Sequence, residues 1–296
     1  MTTNPNPILG KMGFSTNDRV VIVHTDDIGM CQASVQAFMD LWDFGTISSG
    51  AVMMPCPWAP AAADFCRKNP TVDMGVHATL TSEWDLYRWG PLSTRDPGSG
   101  LLDSSGFFHN NSHDVQQNAD PDSVLVELSL QIDRAHEWGI DITHMDTHMG
   151  SIMHPLLLPA YIQAGYSTKV PLMIPRGNAS TFVGMGASPE DAEGYEEITT
   201  MLEDQGIPLI DNIRFMPLDQ PDNQVEFARK LFIDLPSGIT HFILHPSIDT
   251  PELRAIAGDW QSRVANYDAF MSKELKETIR NSGIQLIGYR KLRELM

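Results

Sequence analysis

The sequence holds only three cysteines, Cys31, Cys56 and Cys66, and none stands in a CxxC pair. A disulfide framework and a zinc knuckle are therefore not expected, and the thiols read as reduced groups in a cytoplasmic protein. Basic residues are also scarce: 20 Lys and Arg face 38 Asp and Glu, a formal charge of -18. Such a field repels phosphate backbones and anionic lipid, which argues against nucleic-acid or membrane-surface partners. No apolar run is long enough to span a bilayer. The opening MTTNPNPILGKMGF lacks a basic stretch leading into an apolar one, so no secretory signal is expected. Internal repeats and low-complexity tracts are absent as well.

What is there is a chain of 296 residues, 42% hydrophobic and 20% charged, able to bury a sizeable core. The run RVVIVHT (Arg19 to Thr25) is β-branched and apolar, as a buried parallel strand should be. A helix is expected from Ser34 to Phe44, with Val35, Phe38, Met39 and Trp42 on one face and Gly45 as its stop. The alternation continues with a strand near 46–54, a helix near 60–68, a strand near 72–77 and a helix from about Ser123 to Trp138. Further strands are expected near 140–147, 170–174, 208–210, 240–245 and 284–287. Seven or eight strand–helix units without a break in composition point to one α/β domain spanning the chain. It would be a distorted, incomplete (β/α) barrel, with a doubly wound open sheet as the other solution. Two segments resist the alternation, 82–122 and 176–194, both rich in Gly and Ser, and they read as loop insertions over a site. The first carries Trp84, Tyr87, Trp89, Phe107 and Phe108, either a wall for stacking a sugar or anchors for the loop itself.

Four polar clusters fall at the carboxyl ends of expected strands: His24-Thr25-Asp26-Asp27, Gly75-Val76-His77, His144-Met145-Asp146-Thr147-His148, and His245-Pro246. That edge is where active sites form in barrels and open α/β sheets. Each cluster has a bland reading as well. Asp26-Asp27 could cap a helix, His77 could be a hydrogen-bonded core histidine, and His245 could cap a strand. Their coincidence on one edge favours chemistry. Asp27, His77 and His148 form a two-histidine, one-carboxylate set that leaves positions free on a cation. Asp26 stands beside a ligand and is placed as general base, with His245 across the site as general acid for a departing amine. His144 or Asp146 would orient a ligating imidazole, since a strand's period of two puts His144, Asp146 and His148 on one face. Trp84, Trp89 and Arg176 are candidates for substrate contact. These parts suit hydrolysis of an amide.

With those residues in place, the chain resembles the YdjC-like carbohydrate deacetylase family over nearly its whole length. TDDIG (25–29) is similar to the family's ADDFG segment, and GVHATLT (75–81) to its GxHxxLT. Pro91-Leu92-Ser93 and GLLDSSGFF (100–108) resemble its Pro-Leu and Leu-x-Asp-x-x-Gly-x-Phe loop. HMDTH (144–148), LHP (244–246) and the ending IGYRKLREL match its HxDSH, Cys-His-Pro and Tyr-Arg-x-Leu segments in order. The resemblance implies a distorted (β/α) barrel and one divalent cation on Asp27, His77 and His148, with magnesium usual. It also implies deacetylation of N-acetylated sugars. Two imidazoles suit zinc or another transition ion better than magnesium, so the metal stays open between them. Departures fall on the pocket wall: His24-Thr25 replaces Asn-Ala, Ile28 replaces Phe, and Met149-Gly150-Ser151 follows the third cluster where histidines are frequent.

Competing readings are a barrel hydrolase acting on another amide or a phosphoester, and a sugar-binding relative without turnover. Phosphate chemistry would call for Lys or Arg at the clusters, and only Arg176 is an outlying candidate. A non-catalytic relative should lack the base or a ligand, and here all are present. The partner expected is a small carbohydrate-like molecule. Assembly is left open between a monomer and a homodimer.

Overall fold

A computed structural model describes residues 4–296. Its seven strands are β1 (Arg19–Ile28), β2 (Ser49–Val52), β3 (Met74–Ala78), β4 (Ile142–Thr147), β5 (Asn212–Phe215), β6 (Gly238–Leu244) and β7 (Gln285–Leu286). All pair in parallel, in the order β4-β3-β2-β1-β6-β5, with β7 against the first half of β1. The alternation along β1 shows how the sheet is buried on both faces. Val21 and Val23 join the cluster under the helices, whereas Val20 and Ile22 join a smaller cluster on the inner face with Ile8, Leu9, Ile210, Ile239 and Leu292. Each such side chain contributes about 1.5–3 kcal/mol through burial.

Helices cover the outer face where the apolar stripes place them. One runs Gln32–Phe44 and stops at Gly45, whose φ of 80° closes the last turn. Another runs Pro121–Glu137, with the Asp120 carboxylate accepting the Ser123 N–H at its start. The expected α/β architecture is present, and the barrel is incomplete. Between β4 and β5, single bridges from Met145 to Leu172 and from Pro175 to Ile210 replace ladders. The strands expected at 170–174 and 208–210 are thus corrected to isolated bridges. Pro171, Pro175 and Pro208 lack the N–H groups that a ladder needs.

The two expected insertions contain more structure than their composition suggests. The second, 176–194, holds a helix Ala179–Gly184 and most of the first two turns of another, Pro189–Asp204, capped by the side chains of Asn178 and Ser188. The first holds a helix Ser112–Asn118 and is pinned to the body. Glu127, fully buried, accepts the N–H groups of Leu92 and Ser93 at 3.1 and 2.8 Å, and Arg88 donates to Asp103 and to the Phe108 carbonyl. Among the described residues no helix is long and apolar enough to cross a membrane. All three cysteines are free and buried.

Candidate metal centre and active site

Adjacent residues of a strand point to opposite faces, yet Asp26 and Asp27 face the same site. The reason is local. Asp27 takes a φ of 60°, and the register against β2 slips between Thr25 and Ile28. This bulge re-aims a side chain that a regular strand would send into the helical layer. A non-glycine residue in that region is disfavoured by roughly 1–2 kcal/mol, a cost tolerated mostly at functional sites.

The structure brings Asp27, His77 and His148 together, each at most 5% exposed. One ligand atom from each lies within 4.8 Å of the others. Asp27 Oδ1 is 3.0 Å from His148 Nδ1 and 3.4 Å from His77 Nε2, but it accepts no hydrogen bond although it is buried. An orphaned carboxylate oxygen facing two imidazole nitrogens fits a cation better than it fits a hydrogen-bonded cluster. The other nitrogen of each imidazole is held. His77 Nδ1 meets Asp146 Oδ1 at 2.8 Å and His148 Nε2 meets Glu83 Oε1 at 3.0 Å, the outer carboxylates that fix ring orientation in metal sites.

Charge at the site follows from these contacts. Burial would raise the Asp27 carboxyl, but the Arg263 guanidinium, 2.7 Å from Oδ2, and His148 hold it well below the usual range. Burial disfavours a charged His148, yet Glu83 and Asp27 push its pKa up to about 9. The same opposition, with Asp146 and Asp26 as the carboxylates, raises His77 well above its ordinary value. For Asp26, burial is outweighed by His77 and by the 2.7 Å contact with His24 Nδ1, which keep it ionised. His245 is half-buried; its Nε2 lies 3.7 Å from Asp26 Oδ2, and desolvation lowers its pKa.

Other expected residues land elsewhere. Asp146 holds the His77 ring through Oδ1, whereas His144 lies away from His77 and His148. It stacks on Tyr289 with centroids 3.9 Å apart and shares a 2.8 Å contact with His24, deeper in the sheet. Gly75 makes room for it, since a Cβ there would lie 2.5 Å from the His144 ring. Trp84 is half-buried with its ring 5.6 Å from the Arg263 guanidinium, so it backs the residue that holds Asp27. Trp89 is only 4% exposed and donates its indole N–H to the Thr81 carbonyl, which makes it an anchor of the loop. Arg176 is buried against Asp211 and the Asn4 carbonyl, beside residues that precede β1 and β6. That is the opposite end of the sheet, so it cannot serve a ligand at the carboxyl edge.

Two residues escaped the motif reading. Arg263 comes from the helix Trp260–Phe270, far along the chain and without any local pattern. Glu83 follows GVHATLT and Ser82 directly, and that adjacency was the available signal.

A family model described as YdjC-like protein matches residues 20–281 of the chain. Two curated proteins named carbohydrate deacetylase are similar over most of their length. That of Thermus thermophilus is 29% identical over 274 residues, covering 92% of this chain and 93% of the relative. That of Thermoanaerobacter pseudethanolicus is 24% identical, covering 92% and 98%. An Enterococcus faecalis V583 crystal structure, provisionally assigned to cellobiose-phosphate cleavage, superimposes with a TM-score of 0.74 at 21% identity. It covers 93% of this chain and 99% of that one.

Proposed function

The chain belongs to the YdjC-like protein family, and on that premise we propose that it is a metal-dependent carbohydrate N-deacetylase, releasing acetate from an N-acetylated sugar in the cytoplasm. The observation that carries the reading is the orphaned Asp27 Oδ1 between His77 and His148, with Asp26 and His245 alongside. When bound by Asp27, His77 and His148, a divalent cation supplies Lewis-acid polarisation of the amide carbonyl and eases deprotonation of water. The donor set of two nitrogens and one oxygen favours zinc or a similar transition ion over magnesium.

The protein's own groups do the rest. Asp26, ionised and next to the ligand Asp27, takes the proton from the attacking water. Its Oδ2 faces His245 Nε2 across 3.7 Å, so that proton can pass to the nitrogen that leaves when the C–N bond breaks. His245 is mostly neutral beforehand, because desolvation lowers its pKa, and a neutral ring can receive a proton and deliver it. Its backbone N–H donates to Asn266 Oδ1 at 3.1 Å, which fixes the turn that carries it. Glu83 and Asp146 keep the two ligating rings in one orientation, and Arg263 keeps Asp27 ionised.

The test is acetate release from a panel of N-acetylated mono- and oligosaccharides by protein stripped with chelator and then reloaded. Turnover should vanish on stripping and return with one cation type. Release of acetate at an undiminished rate after full metal removal would overturn the reading, as would binding of that cation by His77→Ala or His148→Ala with the stoichiometry and affinity of wild type.

A further inference from the structure

Beneath the set at the mouth lies a second group of ligand-type side chains. His24, Asp26, Asp146 and His241 each offer one ligand atom, and these lie within 4.8 Å of one another. None of the four residues is more than 7% exposed. Both carboxylates face two ways. Asp146 meets His77 through Oδ1 and turns Oδ2 toward His24 Nε2 at 3.7 Å. Asp26 meets His24 through Oδ1 and turns Oδ2 toward His77 and His245.

The independent observation is at His241, which is fully buried. Its Nδ1 lies 2.9 Å from the Tyr289 hydroxyl, while its Nε2 has no hydrogen-bond partner. An interior ring nitrogen left without a partner costs about 1–3 kcal/mol. Tyr289 holds the ring by Nδ1 as an outer partner holds a metal-binding imidazole, and the tautomer with its proton on Nδ1 would turn the Nε2 lone pair toward the cation. Two buried carboxylates also match the charge of one divalent cation.

We propose that His24, Asp26, Asp146 and His241 form a second divalent-cation site inside the sheet, sharing no ligand with the set at the mouth. Two imidazoles and two carboxylates suit Zn²⁺ or Mn²⁺ better than Mg²⁺. A cation there would fix Asp26 through one oxygen and leave Oδ2 directed at the water and at His245. This goes beyond the deacetylation reading and rests on side chains that the reading does not need for metal binding, Asp26 acting there only as base.

The experiment is metal stoichiometry on the full chain, stripped and reloaded with Zn²⁺ and desalted, with low-temperature EPR of a Mn²⁺-loaded sample as the second measurement. Expected are two equivalents per chain in wild type and one in His241→Gln, His24→Asn and His148→Ala alike, with circular dichroism confirming that each is folded. Mn²⁺ in wild type should show a spectrum broadened by dipolar coupling between neighbouring ions, and His241→Gln the simple six-line signal of an isolated ion. One equivalent in wild type that is lost in His148→Ala and kept in His241→Gln overturns the second site while leaving the proposed function intact. No tightly bound ion in wild type would overturn both.

Discussion

The two ends of β4 carry one carboxylate each, and the pair shows how the same sheet serves stability at one edge and chemistry at the other. Asp141, just before the strand, is more than half exposed and is clamped by Arg290 and Arg293 from the chain's last turn. Asp146, near the strand's end, is buried and meets the imidazoles of His77 and His24. The contrast extends across the sheet. On the inner face of β1, Val20 and Ile22 belong to an apolar plug, whereas His24 and Asp26, two and four residues on, belong to a polar layer. On β6, Ile239 gives way to His241 in the same manner. As far as Asp26 the inward-facing period holds, and only the chemistry of the residues changes along it. Apolar inner positions stabilise by burial, while polar ones can be kept there only if partners or cations satisfy them.

The sharpest way to test this division is Asp26→Asn. The amide keeps the shape and most hydrogen bonding but cannot accept a proton, so turnover should fall by roughly 10²–10⁴. Cation binding by Asp27, His77 and His148 should persist, and the protein should remain folded. A loss of folding in place of activity would mean that the upper layer is structural after all.

His245→Ala should lower turnover on an amide by roughly 10²-fold, because a departing amine needs a proton. On an activated aryl acetate the leaving group needs none, and the loss should be small. Equal losses on both substrates would remove His245 from the acid role and leave it a strand-end histidine.

In the lower layer the effect should invert. Ile22→Ala removes a fully buried side chain from the plug, at a cost of about 2–5 kcal/mol in unfolding free energy by denaturant titration. The kcat of the fraction still folded should stay near wild type. A large kcat change with little loss of stability would show that the two layers are mechanically coupled.

Much of this division was legible in the residue order, and the rest was not for physical reasons. Alternation in HMDTH and the polar residues ending the first, third and sixth strands are local patterns, so the set at the mouth could be read. The bulge at Asp27 could not, because a φ of 60° in a non-glycine strand residue has no sequence mark. Arg263 reaches Asp27 across 236 positions, a contact made by the fold alone. Ser188-Pro189-Glu190-Asp191 is a helix-start signature, masked by the glycine-rich composition around it, which resembles that of a lid. Trp89 and Arg176 show the limit of residue type as a guide: each is a frequent ligand-binding residue, and each is spent here on burial and internal hydrogen bonds.

The smallest expected effect returns to Asp141. Hydrogen bonds from Arg293, more than offsetting partial burial, and then from Arg290 hold its pKa down to about 2, against an ordinary value of 3.8. A carboxyl whose folded pKa is depressed stabilises above its unfolded value and loses that contribution as pH falls toward the folded one. The window is therefore about pH 4 to 2. Because the side chain is 56% exposed, solvent screening reduces its worth to less than about 1 kcal/mol at neutral pH. Asp141→Asn should then be slightly less stable than wild type at pH 6, with the gap closing as the pH is lowered through that window and shrinking in high salt. Unfolding curves of both proteins at pH 6, 4 and 3 measure it. A gap that stays constant with pH would mean that Asp141 acts through hydrogen-bond geometry alone, and that the lower edge of β4 is held by shape where the upper edge is held by charge.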